Sequence, residues 1–365
     1  MSVDLTAPLT EAQGEAARQI EICNACRYCE GYCSVFPAMF KERAFDGGDI
    51  TQLANLCHNC RGCYYACQYT EPHEFALNLP AALAEARSES WERHAWPGAF
   101  ARLFQRQGTA LAAALVVGIA ALFWAFSAIG GTGEGFYAYL SHAAMVAIFA
   151  PAFLLPLLSI AISLRGYWRE VGGRRIALAD WAEAGRMIGQ MRNLDGGQGQ
   201  GCNFEKGDRF SNTRRHAHQA VLWGFLLCFA STASGTLMHY LLGLQAPYAL
   251  FSLPKLLGIP GGLLLVVGTG GLAWLKTKAD PALGDHRVWG GEMGFILLLG
   301  VTGLTGLILY AATGTPLVPG LLALHLGAVL AFFLTLPYSK MAHGFYRTAA
   351  LLRDAQIKRL GAEGP

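Results

Sequence analysis

Cys23-Asn24-Ala25-Cys26-Arg27-Tyr28-Cys29-Glu30-Gly31-Tyr32-Cys33 is followed by Cys57-His58-Asn59-Cys60-Arg61-Gly62-Cys63-Tyr64-Tyr65-Ala66-Cys67. Both stretches read C-x2-C-x2-C-x3-C, the spacing of two-cluster ferredoxins. Three thiolates two residues apart reach three corners of one iron–sulfur cubane on a tight turn. The fourth, on the helix that follows, reaches the neighbouring cluster. The spacing therefore assigns Cys23, Cys26, Cys29 and Cys67 to one [4Fe–4S] cluster (cluster 1), and Cys57, Cys60, Cys63 and Cys33 to the other (cluster 2). A pair of zinc sites is the alternative, but zinc does not demand a third cysteine at the same interval, twice over. Proline often follows the fourth cysteine directly. Here Pro37 and Pro72 stand four and five residues beyond it, so the ligand count agrees and the local turn differs.

Working outward, Met1 to Ile22 is polar, with Asp4, Glu11, Glu15 and Glu21 and no apolar core. That is not a secretory leader, so reduced thiols facing the cytosol are expected rather than disulfides. The surroundings look helical. Glu11–Ile22 reads as a polar helix, Asp49 as a cap for a helix over Ile50–Leu56, and Glu74–Ser88 as an Ala/Leu/Glu-rich helix. No alternating strand pattern occurs. This module resembles the all-helical ferredoxin domain of succinate dehydrogenase iron–sulfur subunits and heterodisulfide reductase.

Beyond Trp96-Pro97 the composition changes. The chain is 53% hydrophobic and only 15% charged, with a mean hydropathy of +0.32. Six apolar stretches, roughly 109–129, 139–164, 218–242, 255–275, 292–313 and 317–338, can each cross a hydrocarbon core of about 30 Å. The segment 165–217 carries ten Lys and Arg, whereas 130–138 and 314–316 carry none. The positive-inside rule then puts both termini and the cysteine domain in the cytoplasm. A net charge of +3 gives no argument for a nucleic-acid partner. Two glycine runs, Gly130–Gly135 and Gly196–Gly201, follow no strand and open no βαβ unit, so they read as loops and not as a dinucleotide site. The expected architecture is all-α. It comprises an α-helical ferredoxin domain over 1–95, a six-helix transmembrane bundle over 96–345 with a cytoplasmic loop at 165–217, and a tail over 346–365.

Ionisable residues inside spans mark functional sites. His218 and His239 bracket the third span, and His325 and His343 the sixth. On one continuous helix His325 and His343 would share a face about 27 Å apart. With spans three and six antiparallel, His218 and His343 would hold a cytoplasmic-side b haem. His239 and His325 would hold an outer-side one, with His142 in reserve and His216 a weaker candidate. Ser231, Thr232, Ala233, Ser234 and Gly235 would let a flat macrocycle approach. Arg214, Arg215 and Lys340 would lie near its propionates.

The stretch from Leu324-His325 to Leu336-Pro337-Tyr338-Ser339-Lys340-Met341-Ala342-His343 resembles the last haem-binding helix of respiratory nitrate reductase gamma subunits. That resemblance implies the ligand role for His325 and His343. The order of the whole chain resembles the tricarballylate/citrate utilisation protein B family. So do Arg214-Arg215-His216-Ala217-His218-Gln219 and Gly224-Phe225-Leu226-Leu227-Cys228-Phe229. The resemblance implies an electron-transfer subunit of the bacterial inner membrane rather than the dehydrogenase itself. It would reoxidise the reduced FAD of a soluble dehydrogenase of the tricarballylate type, through two [4Fe–4S] clusters and b haems, with quinone as acceptor. The same relay serving a cobalamin-pathway flavoprotein, or a membrane iron–sulfur sensor or assembly protein without quinone chemistry, are the alternatives. Cys202 has no assigned role, and Cys228 reads as a small apolar residue.

Overall fold

The computed structural model describes residues 8–42, 44–127, 135–244 and 246–362, and among these the chain is all-α. Five helices carry the cysteine region: α1 (Glu11–Cys26), α2 (Val35–Met39), α3 (Gly47–Leu56), α4 (Gly62–Tyr65) and α5 (Leu79–His94). α6 (Gly98–Ser127) and α7 (His142–Glu170) follow, then the short α8 (Leu178–Gln190). α9 (Thr213–Leu242), α10 (Leu253–Lys278), α11 (Trp289–Ala311), α12 (Val318–Thr335) and α13 (Ala342–Ala362) complete the chain.

Local chemistry sets the helix ends. Thr10 and Gln13 exchange side-chain bonds with each other's backbone N–H at the start of α1. α1 runs four residues beyond Ile22, until Arg27 turns left-handed at φ 57°. The cap of α3 is Asp46 and not Asp49. Asp49 sits at the third helical position and returns the reciprocal bond. α5 starts at Leu79, later than expected, because Asn78 caps it through the Ala81 N–H and Pro80 fits its first turn.

The core of the cysteine domain is assembled from distant pieces. Ile20, Met39, Ile50, Leu56 and Leu83 pack with Tyr167 and Val171 of the α7 end, Met187 of α8, and Tyr346, Ala350, Leu351 and Leu352 of α13. The expected division at 345/346 therefore falls inside α13, whose apolar stripe at helical spacing is covered by this core. The segment 165–217 is likewise no plain loop: it holds the end of α7 and all of α8.

Six helices, α6, α7 and α9 to α12, are long and apolar enough to cross a membrane. α6 and α11 cross where glycine lets their backbones touch: a Cβ on Gly108 would stand 2.6 Å from the Gly291 Cα. α12 ends at Thr335, and residues 336–341 form turns before α13. Pro337 lacks the N–H that a continuing helix needs. His325 and His343 are thus on different helices, which corrects the single-helix geometry expected from their spacing. Midway through the bundle, Phe225 of α9 meets Phe332 of α12 at 5.8 Å, and Phe153 of α7 meets Phe229 and Phe333 at 6.3 and 5.4 Å. This aromatic layer separates the histidines at the two ends. Of the glycine runs, 130–134 lies outside the described residues. Gly196, Gly197, Gly199 and Gly201 all take positive φ in a loop. A Cβ on Gly197 would meet the Gly31 carbonyl at 2.1 Å, so this loop lies directly on the first cysteine run.

Candidate iron–sulfur and haem centres

The two cysteine runs repeat in structure as well as in sequence. In each, the arginine after the second cysteine is left-handed, Arg27 at φ 57° and Arg61 at φ 69°. Cys23, Cys26, Cys29 and Cys67 line one pocket of about 230 Å³ together with Cys63, which the two pockets share. Cys33, Cys57, Cys60 and Cys63 line a second. The fold thus brings the fourth cysteine of each run to the first three of the other. No three Cys, His, Asp or Glu side chains among the described residues close on one single-ion position; the quartets surround pockets instead. Burial, followed by the neighbouring thiols, pushes Cys23 and Cys29 up to about 12. Such thiols need a bound metal to become thiolates at neutral pH. Backbone N–H groups of Asn59 and Tyr69 donate to the Cys57 and Cys67 sulfurs, both at 3.4 Å.

Four arginines gather on the second quartet. Arg87 and Arg347 donate to the Cys57 carbonyl at 3.1 and 3.0 Å. Arg214 donates to the Asn59 carbonyl at 2.7 Å, and Arg61 to the Asn59 side chain at 2.9 Å. Arg61 and Arg214 both lie over the Phe204 ring, at 4.6 and 4.0 Å from its centroid. Arg61 and Arg87 are 5% exposed and Arg347 9%. None of the four joins an ion pair among the described residues. The Nε atoms of Arg87 and Arg347 have no hydrogen-bond partner among the described residues. Burial, then Arg87 and Arg214, pull Arg347 down to about 9, and burial, then Arg214, pulls Arg61 down to about 10. Buried unpaired cations cost several kcal/mol each, so this shell fits an anion in the second pocket, as an iron cluster held by four thiolates is. The sequence reading missed Arg61, Arg87 and Arg347. Only Arg61 carried a trace, through its repeat with Arg27.

The basic residues expected at haem propionates are engaged elsewhere. Arg214 holds the second cysteine loop, Arg215 donates to the Gln190 carbonyl at 2.7 Å, and Lys340 pairs with Glu292. Cys202 is buried behind Cys60. Its neighbour Asn203 donates a backbone N–H to the Cys60 carbonyl at 2.9 Å, and its thiol donates to the Leu194 carbonyl at 3.3 Å.

His218 and His343 meet at the end of the bundle next to the cysteine domain, ring centroids 5.7 Å apart. The Nδ1 of His343 bonds the Lys340 carbonyl, leaving Nε2 for a metal, and the Nδ1 of His218 is buried without a partner. Burial, followed by Arg347 and His218, holds His343 well below the ordinary imidazole range, in the neutral form that ligates. This pair fits a haem iron. At the far end the expected pairing of His239 with His325 does not form. His239 stacks on His142 at 4.4 Å and 16°, its Nδ1 unpartnered. His325 turns toward α11, its Nδ1 3.0 Å from the Thr305 hydroxyl. The cause is depth: His142 and His239 sit at helix ends, whereas His325 lies two turns inside α12.

Comparison with known proteins matches residues 16–93 to the citrate utilization protein B Fer4-like domain and residues 101–363 to citrate utilization protein B. An Escherichia coli relative described as citrate utilization protein B is 44% identical over 363 residues, covering 97% of this chain and 95% of its own length. No solved structure matches. A ferredoxin-like cysteine domain followed by six helices long and apolar enough to span a membrane, matched over nearly the full length, places this chain in the citrate utilization protein B family.

Proposed function

We propose that this chain is a membrane electron relay. It takes electrons from the reduced FAD of a soluble dehydrogenase, of the tricarballylate type, and delivers them to quinone, with two [4Fe–4S] clusters and b haem as carriers. One observation supports this above the others. His218 and His343 each have an arginine four residues away on the same helix, about one turn. Those arginines, Arg214 and Arg347, grip the second cysteine loop at Asn59 and Cys57. The helices that present the histidine pair therefore also hold the second quartet beside it.

When bound, the clusters and haem each carry one electron, which lets a flavin's pair leave singly. Cys23, Cys26, Cys29 and Cys67 hold the entry cluster, where Cys26 and Tyr28 are exposed to a soluble partner. Cys57, Cys60, Cys63 and Cys33 hold the inner one. His218 and His343 hold the near haem. The same reading places a second haem at the far end on His239, with His325 as its expected partner and His142 as the imidazole the fold brings to it. The Lys and Arg distribution supports a cytoplasmic cysteine domain and cytoplasmic termini in a bacterial inner membrane. In this reading the flavin and the substrate belong to the partner.

The test is cofactor analysis of the full chain. Two [4Fe–4S] equivalents of iron and sulfide, with a dithionite-reducible b-type α band, are expected. Protein made with ample haem that lacks that band would instead support an iron–sulfur sensor or assembly role.

A further inference from the structure

The two quartets sit in different electrostatic surroundings, uncharged at the first and cationic at the second. The first pocket is lined by its four cysteines and Cys63, with Tyr28, Tyr64, Gln68, Tyr69 and apolar side chains, and by no Lys or Arg. The second includes Arg61 in its wall. Arg87, Arg214 and Arg347 close on the same cysteine loop, and no carboxylate within ion-pair distance neutralises any of the four. They come from α5, α9, α13 and the loop itself, so the fold concentrates them there.

We propose that Arg61, Arg87, Arg214 and Arg347 form an electrostatic step that holds the reduction potential of cluster 2 above that of cluster 1, giving the relay its direction. The inference rests on the cluster reading above. Reduction adds one negative charge to a cluster, and net charge and hydrogen bonding around it set its potential. Nearby fixed cations favour the reduced form; burial alone would disfavour it. At an effective permittivity of about 20, one unit charge some 10 Å away shifts an equilibrium roughly tenfold. Four cations on one cysteine loop act in the same direction, against the effect of burial. The exchange is of one electron, cluster 1 oxidised and cluster 2 reduced, with no proton or group transferred.

The experiment is an EPR-monitored redox titration of the full chain in detergent, with Cys26→Ser and Cys60→Ser used to assign the two signals. In the unaltered chain the cluster 2 midpoint should be the more positive. Arg87→Gln and Arg347→Gln each keep a donor for the Cys57 carbonyl but lose the charge. Each should lower the cluster 2 midpoint by about tenfold in equilibrium, or 59 mV for one electron. Cluster 1 should stay unmoved, and the Arg→Lys counterparts should restore most of the shift. Midpoints that stay put with full iron, or that fall equally at both clusters, would overturn the proposal. Where a variant loses iron, the order in the unaltered chain decides: a cluster 2 midpoint at or below that of cluster 1 overturns it. An unaltered chain with iron for fewer than two clusters would fail the underlying reading instead, and the iron count reports that separately.

Discussion

The Cys57 carbonyl receives two guanidiniums, from Arg87 and Arg347, while the Cys57 sulfur accepts the Asn59 N–H. A single residue thus ties α5 and α13 to the second quartet. Replacement of the buried Cys60 should act on that quartet alone. Cys60→Ser is expected to remove the cluster 2 EPR signal and about half the iron while the protein stays in the membrane; unchanged iron would refute the assignment. The histidines separate in the same way. His343→Ala and His218→Ala are each expected to remove the same haem from the visible spectrum while the cluster iron and sulfide stay unchanged, because the two rings face each other with centroids 5.7 Å apart. At the far end, His142→Ala and His325→Ala compete. The variant that drops a second haem names the partner of His239, and retention of all haem in both would remove the far-end site from the reading.

Elements meet through a chain of polar bonds that hydropathy does not reveal. The Tyr167 hydroxyl on α7 donates to the Gln52 side-chain oxygen on α3 at 2.8 Å, and the Gln52 amide donates to the Ala350 carbonyl on α13 at 2.8 Å. Tyr167 is fully buried and Gln52 nearly so. Gln52→Leu keeps most of the volume but strands a hydroxyl and a carbonyl, each unsatisfied group costing about 1–3 kcal/mol. The expected result is a thermal midpoint lowered by several degrees for iron release, with membrane insertion unchanged. An unaltered midpoint would mean that water takes over both bonds. The break between α12 and α13 belongs to this scale too. The Pro337 turn lets α13 leave the bundle and pack Tyr346 against Trp91, stacked at 5.9 Å.

At the scale of the molecule, the cysteine region is no separable module. Its core borrows Tyr167, Val171, Met187 and the α13 stripe. A fragment of residues 1–95 would expose that apolar surface and lack Arg214 and Arg347. It is expected to retain less than one full cluster of iron per chain after purification, read by iron and sulfide assay; a soluble fragment with both clusters would contradict the shared core. Orientation is tested on the whole chain. A reporter fused at the C-terminus should read cytoplasmic, because residues 165–217 carry ten Lys and Arg. A periplasmic readout would invert the relay.

Much of this was legible from the chain alone because the governing physics is local. The Cys23 and Cys57 runs announce their grouping through covalent spacing, and six apolar stretches announce their long helices through length and hydropathy. Helix starts were less legible: Asp46 displaced Asp49, and Leu79 displaced Glu74, because capping depends on which backbone N–H the side chain reaches. Only tertiary structure decided the rest. Arg61, Arg87, Arg214 and Arg347 are ordinary basic residues until packing brings four distant segments onto one cysteine loop. His239 meets His142 and not His325 because depth in the bundle, not helical phase, sets which rings share a level. The grouping of the eight cysteines could thus be read from their spacing, whereas the charge around them exists only once the helices have packed.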